Sequence, residues 1–225
     1  RELSGELSTF EIMTYRSAIG LMIVVGIAWA RGLLPGIKAR RMGLHVIRNI
    51  AHFSGQNLWF FAVGLIPFSQ LFAFEFSFPL WVALFAPIFL SERLTGTRIA
   101  AAIIGFIGIL LVAKPGATTI SPGIITAALC AIGFGLTAIF TRLLTKTQTI
   151  TCILFYLTGM QAIFGLICAG LDGDMALPTA MTLPWMILIG IAGLTAHFCL
   201  TKALSIAPAT LVMPLDFLRL PIIAV

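Results

Sequence analysis

The sequence predicts an all-α membrane protein made of two inverted five-helix repeats, with ten transmembrane helices in the full protein and about eight in this chain. Three observations predict it. Of the 225 residues, 60% are hydrophobic and only 10% are charged, and mean hydropathy is +1.08. A soluble domain carries roughly 25% charged residues, so this chain has too few for a water-facing surface. Apolar runs long enough to cross about 30 Å of hydrocarbon recur throughout. Shifted by 141 positions, the chain also resembles itself without a gap.

Eight apolar runs are predicted as membrane segments, at 10–30, 46–66, 69–90, 99–113, 120–141, 149–171, 183–204 and 210–225. They are continuously apolar rather than alternating, which excludes the strands of a β-barrel. The first run carries Tyr15 and Arg16, and Arg16, nearer the run's outer end, is expected to snorkel. A basic connection follows, with Arg31, Lys38, Arg40, Arg41 and Arg48. In the second run His52, Gln56, Trp59 and Val63 step by four, three and four, which puts two hydrogen-bonding groups and an aromatic ring on one helical stripe. Asn49 extends that stripe and Asn57 lies off it. The third run holds Glu75, with Pro79 four residues later. Proline cannot donate to the ladder and frees a carbonyl near that turn.

In the fourth and fifth runs Ala101 and Gly105, and Ala127, Ala131 and Gly135, repeat every four residues, a spacing that lets helices approach closely. The sixth run carries Tyr156, which like Tyr15 suits a belt at the membrane interface. His197 and Thr201 form a short polar stripe in the seventh. The eighth holds Asp216 and Arg219, three apart on one face and flanked by Pro214 and Pro221, which favour a broken helix.

Alternate connections share one side of the membrane. Arg93 and Arg98 follow the third run, Arg142 and Lys146 the fifth, and Lys202 ends the seventh. With the first cluster this makes ten bases, against only Arg1 and Lys114 opposite, where Glu2, Glu6, Glu11, Asp172 and Asp174 lie. Positive residues stay inside, so the basic side is expected to be cytoplasmic. The net charge of +6 thus orients helices and does not imply nucleic acid.

Under the 141-residue shift Tyr15 falls on Tyr156, Ala62 on Ala203, Pro67 on Pro208, Ser69 on Thr210 and Glu75 on Asp216. The shift spans five segments, and an odd number inserts the second copy upside down. Arg31 on the basic side aligns with Asp172 on the acidic side, as an inverted copy requires. Residues 1–116 are read as a first repeat lacking its first helix and 117–225 as a second lacking its last.

A charge in mid-bilayer costs about 2.5–3.5 kcal/mol on insertion scales, so such residues face protein or water and usually have a partner; Glu75, Asp216 and Arg219 qualify. With the polar stripes, the candidate substrate and proton site is Glu75, Asp216, Arg219, His52, Gln56, Trp59, His197 and Thr201. Glu75 suits a proton or a substrate amine, or a structural pair with Arg16; Asp216 and Arg219 suit a zwitterion, or each other. Cys130, Cys152, Cys168 and Cys199 lie in apolar runs with no ligand spacing, so no metal is expected. No cofactor is expected, and no phosphate-binding GxxxxGK[ST] loop exists.

Four stretches carry a likeness to a known family: "YRSAIGLMI" with Arg16; "AVGLIPFSQLFAFEFSFPLWVALFAPIFLSERLT", ending in Ser91-Glu92-Arg93; "GFIGILLVAKPG"; and "ALSIAPATLVMPL". The chain resembles the EamA-type members of the drug/metabolite transporter superfamily over essentially its whole length. The resemblance implies small metabolites moving through a central cavity between two repeats, with both termini cytoplasmic. The expected function is a multi-pass transporter of the bacterial-type inner membrane that exports amino-acid-like metabolites by alternating access, coupled to protons. Uptake of a vitamin or nucleotide-like metabolite is the alternative. An intramembrane carboxylate enzyme is disfavoured, because the nearest thing to a GxGD box, Leu171-Asp172-Gly173-Asp174, lacks its first glycine. A non-transporting membrane scaffold is the remaining reading.

Overall fold

A computed structural model describes residues 6–113, 121–171 and 175–218. Its elements are α1 (Thr9–Ala30), α2 (Met42–Val63), α3 (Phe68–Glu75), α4 (Phe78–Leu90), α5 (Gly96–Ala113), α6 (Pro122–Thr145), α7 (Ile150–Gly170), α8 (Leu183–Ile206), α9 (Ala209–Val212) and a 3-10 helix, Met213–Leu218. No strand occurs among the described residues. Five spans there are long and apolar enough to cross a membrane: Thr9–Ala30, Phe68–Leu90, Pro122–Thr145, Ile150–Gly170 and Leu183–Ile206. At 22 residues, α2 is as long as α1. Arg48, Asn49, His52, Gln56 and Asn57 make it the least apolar of the long helices.

The run 69–90 forms one span that is broken near Pro79, as its prolines predict: α3 ends at Glu75 and α4 starts at Phe78, with Phe76 and Ser77 between them. Pro79 sits in the first turn of α4, where no donor is needed. Arg48 is not a loop charge. It lies inside α2 and is 1% exposed, because α2 begins at Met42 rather than near residue 46.

The chain forms two compact units, Arg1–Asn49 with Leu144–Lys202, and Ile50–Leu143 with Ala203–Val225. The cuts fall within α2, α6 and α8, so these units are not the sequence repeats. The first unit holds α1, the start of α2, α7 and most of α8. Its apolar core joins Val24, Leu154 and Leu157 to Leu194, and Leu7 and Met186 to Tyr15 and Ile19. A capping box starts α1: the Glu11 amide donates to Ser8 Oγ (3.3 Å) and the Ser8 amide to Glu11 Oε2 (2.6 Å). The other Glu11 oxygen accepts from the Ala176 amide. Tyr15 donates to the Ala176 carbonyl at 2.7 Å, and the Tyr156 ring lies 4.6 Å from His45.

Helix bounds follow the 141-residue shift. Moved by 141, α1 covers 150–171 and coincides with α7, and α2 covers 183–204 and coincides with α8. Likewise α3 covers 209–216, the stretch of α9 and the 3-10 helix. Pro67 and Pro208 are both N-caps with φ −58° and ψ 146°. Helix direction supplies the inversion. A Cβ on Gly20 would lie 3.0 Å from Thr158, one on Gly159 would lie 4.0 Å from Leu21, and one on Gly165 would meet Thr14. Residue numbers rise along α1 as they fall along α7, so the two equivalent helices run antiparallel.

The second unit packs Ala62, Ile66, Leu71 and Ala127 with Trp59, Val63, Phe74 and Ile124. A second cluster joins Ala73 and Phe76 to Phe72, Phe106 and Phe217. Ala127 and Ala131 are fully buried, and a Cβ on Gly135 would stand 3.0 Å from the Trp81 Cβ, as the small-residue spacing predicts. The tightest backbone approach is nearby: a Cβ on Gly133 would lie 3.0 Å from the Ala51 carbonyl oxygen and 3.1 Å from Gly55 Cα. Backbone cannot rotate away, so Gly133→Ala is expected to destabilise by about 1–3 kcal/mol. It should lower the melting temperature in detergent; an unchanged value would show that α2 and α6 part there at no cost.

Candidate functional site

In the second unit the broken helix and the α2 stripe converge on a carboxylate. The α3–α4 break leaves Glu75 at the C-terminal end of α3, in mid-span and half-buried. Trp59, four turns along α2, donates its indole N–H to Glu75 Oε2 at 2.6 Å. Two residues singled out separately in sequence are therefore direct partners. One turn back from Trp59, Gln56 is buried with no hydrogen bond to its Oε1 among the described residues. His52, a further turn back, is buried with its ring 5.9 Å from Phe134. Asn57 is spent locally, donating to the Phe53 carbonyl at 2.8 Å.

Asp216 lies half-buried in the 3-10 helix of the same unit. Its neighbour Phe217 shares a cluster with Phe76, the residue after Glu75, so the two acid-bearing segments meet. The helical turn changes to 3-10 at Met213, next to Pro214, as the prolines predicted. Arg219 lies outside the described residues, as do Arg1, Glu2, Lys114, Asp172 and Asp174.

Sequence reasoning passed over a second carboxylate in this unit. Glu92, after the left-handed Ser91 that ends α4, reaches the start of α9. Its Oε1 accepts from the Ala209 amide (3.0 Å), and its Oε2 from the Thr210 amide (3.1 Å) and hydroxyl (2.9 Å). Arg142 Nε stands 3.5 Å from Oε1 and its guanidinium also donates to the Leu204 carbonyl. Arg98 joins through Thr210 Oγ1 at 2.8 Å. The signal was present: Pro208 caps α9 and has no side-chain acceptor, so the first amides of that helix need one from elsewhere.

The first unit holds a separate polar cluster. Asn49 Oδ1 accepts from Arg48 (3.1 Å) and from Gln161 Nε2 (3.3 Å), which also donates to the Asn49 carbonyl at 2.9 Å. Asn49 Nδ2 donates to the His45 carbonyl at 2.8 Å. Beside them is a small cavity of about 30 Å³ lined by Arg16, Thr158, Gln161, Gly190, Gly193 and His197, among others. Of the expected residues in this unit, His197 faces the cavity, whereas Thr201, one turn on, is buried outside its lining. Arg16 also lines this cavity. Gln161, alone in an apolar run, escaped because isolated amides in such runs more often join helices than bind ligands.

Comparison with known proteins adds the following. A model described as the EamA-like transporter family matches residues 1–114. The S-adenosylmethionine uptake transporter of Rickettsia bellii (strain RML369-C) is 26% identical over 223 residues, covering 99% of this chain and 76% of that protein. The riboflavin transporter of Brucella anthropi is 32% identical over 196 residues, covering 83% of this chain and 67% of that protein. A solved crystal structure superposes with a TM-score of 0.78 at 20% identity, covering 96% of this chain and 76% of that one, and bears on the fold alone.

Proposed function

The chain belongs to the EamA-like transporter family, and from that premise we propose that it takes up a small organic metabolite across the bacterial inner membrane by alternating access, with Glu75 as the working carboxylate. The observation that carries the role of Glu75 is its 2.6 Å hydrogen bond from Trp59 at a helix break in mid-span. A carboxylate there is costly to keep charged and cheap to neutralise, so protonation or a substrate cation relieves it. The indole fixes its orientation and offers an aromatic wall. His52 and Gln56 extend a polar track along α2, and Asp216 supplies a second acid in the same unit.

Direction separates the two readings raised by the sequence. A relative named for S-adenosylmethionine uptake favours uptake over export. S-adenosylmethionine and riboflavin, the two named substrates, both join an aromatic ring system to a polar portion, which suits Trp59 beside Glu75. Proton coupling follows if Glu75 must be neutralised in each cycle.

The test is flux in proteoliposomes loaded with neutral buffer, given labelled S-adenosylmethionine or riboflavin outside. One of the two should accumulate, and acidifying the outside should speed its entry. No flux of either, nor of other nucleoside, flavin or amino-acid substrates, would end the transport reading. Flux indifferent to pH would remove the proton and leave the carrier.

A further inference from the structure

The first unit carries an apolar groove of about 460 Å³ that the proposed transport path does not use. It lies where the end of α1, the start of α7 and the middle of α8 come together. Ile23 and Ile27 line it from α1, Ile150 and Leu154 from α7, and Leu194 and Phe198 from α8. On α8 the lining residues Ile191, Leu194, Thr195 and Phe198 fall on one helical face. Thr195 spends its hydroxyl on the Ile191 carbonyl at 2.8 Å, so it adds little polarity. Ile27, Ile191 and Phe198 are about half exposed, so the groove is open along its side.

One end of the groove is cationic. Arg31, the residue after α1, completes the lining. Trp29, two residues earlier and 75% exposed, marks headgroup depth, where tryptophan collects. From Ile23 to Arg31 is about 12 Å along the helix at 1.5 Å per residue. That is close to one leaflet's half of a hydrocarbon core about 30 Å thick. Three exposed bases follow, Lys38, Arg40 and Arg41. Their loop is tied to the start of α7: Gln148 donates to the Arg40 carbonyl at 3.3 Å, and Thr149 to the Gly36 carbonyl at 3.5 Å. Arg31 makes no ion pair among the described residues. The described acids of this unit, Glu6 and Glu11, lie at the other end of α1. Glu11 is about 30 Å from Arg31 along the helix axis.

A neighbouring helix need not fill this groove. On α2, α6 packs against another face, where a Cβ on Gly133 would meet Ala51 and Gly55. Under the 141-residue shift those two fall on Ala192 and Ala196, neither of which lines the groove. A helix packed on α8 as α6 packs on α2 would leave the groove open to lipid. Ile50, the counterpart of Ile191, is likewise 50% exposed.

We propose that the groove binds an anionic phospholipid from the leaflet on the basic side, with its phosphate on Arg31 and one acyl chain along Ile27, Leu154 and Phe198. An apolar slot that ends in a cation at headgroup depth fits such a molecule at both ends. A zwitterionic lipid fills the slot but brings its own cation towards Arg31. A free phosphate meets the arginine but leaves the slot empty.

The test is thermal stability of the full protein in neutral detergent, with dioleoylphosphatidylglycerol, dioleoylphosphatidylcholine and glycerol 3-phosphate added separately. A ligand of the folded state raises the melting temperature by mass action. Phosphatidylglycerol should half-saturate at least about fivefold below phosphatidylcholine, the factor one basic residue near an anionic headgroup is worth. Glycerol 3-phosphate should give no shift. Arg31→Gln should erase the preference between the two lipids, and Arg31→Lys should retain it. Thr195→Phe, which fills the groove without touching a charge, should weaken both lipids. Arg93→Gln, at an exposed base outside the groove, should change nothing. Equal affinity for the two lipids, a glycerol 3-phosphate shift as large as that of phosphatidylglycerol, or a preference surviving Arg31→Gln would overturn the site. So would lipid affinities unaltered in Thr195→Phe. A loss in Arg93→Gln equal to that in Arg31→Gln would replace the site with diffuse attraction to the basic surface.

Discussion

Glu75→Gln is expected to cut uptake in proteoliposomes far more than it changes the amount of folded protein recovered. The substitution keeps size and an acceptor for the Trp59 indole but removes the charge and the proton site. A hydrogen bond to a charged group is worth about 1.5–3 kcal/mol, and about 1.4 kcal/mol is a factor of ten, so flux should fall roughly ten- to a hundredfold. Its dependence on external pH should flatten as well. Trp59→Phe, which keeps the ring and removes the donor, should lose less flux and keep the pH dependence. Wild-type flux in Glu75→Gln would show that the carboxylate is a structural partner of the indole and nothing more.

The largest loss of stability is expected at Glu92. Its carboxylate caps two amides at the start of α9, holds the Thr210 hydroxyl and neutralises Arg142. The two side chains are 11% and 19% exposed, so this is not a solvated surface pair of negligible worth. Removing one partner of a buried pair costs about 3–5 kcal/mol, and partial exposure brings the expectation for Glu92→Ala to about 3 kcal/mol. For a chain of this size that is a fall of roughly 6–12 °C in melting temperature. Arg142→Ala should cost less, because Glu92 keeps its other donors. If the two substitutions cost the same, the ion pair dominates and the helix cap contributes nothing. If neither lowers the melting temperature, the network adds no stability.

These two carboxylates show what can be read along a chain. Glu75 was legible because an acid in an apolar run is rare and costly, whatever surrounds it. Glu92 sits at the end of its run, where an acid is unremarkable, and its role appears only when α9 is brought to it. Arg48 was misassigned for a related reason. A hydropathy window places a helix end where polarity begins, so it cannot tell a loop arginine from one buried four to six residues inside a polar helix. Trp59 and Glu75 were both named from their types and spacing, but their hydrogen bond depends on the break at Phe76 and Ser77. The break itself is local, because Pro79 has no N–H for the Glu75 carbonyl; the meeting with Trp59 is not.

Fold class, helix positions, the inverted pair of copies and the membrane setting came from local hydropathy, the sidedness of charge and the 141-residue self-similarity. Those signals are carried by each segment separately, because a helix in lipid satisfies its own backbone and needs no partner to form. Tertiary packing decided which polar groups meet. It gave Glu75 to Trp59, gave Glu92 to α9 and joined Gln161 to Asn49. Such meetings depend on which helix faces which and at what register, and neither is encoded in any single segment.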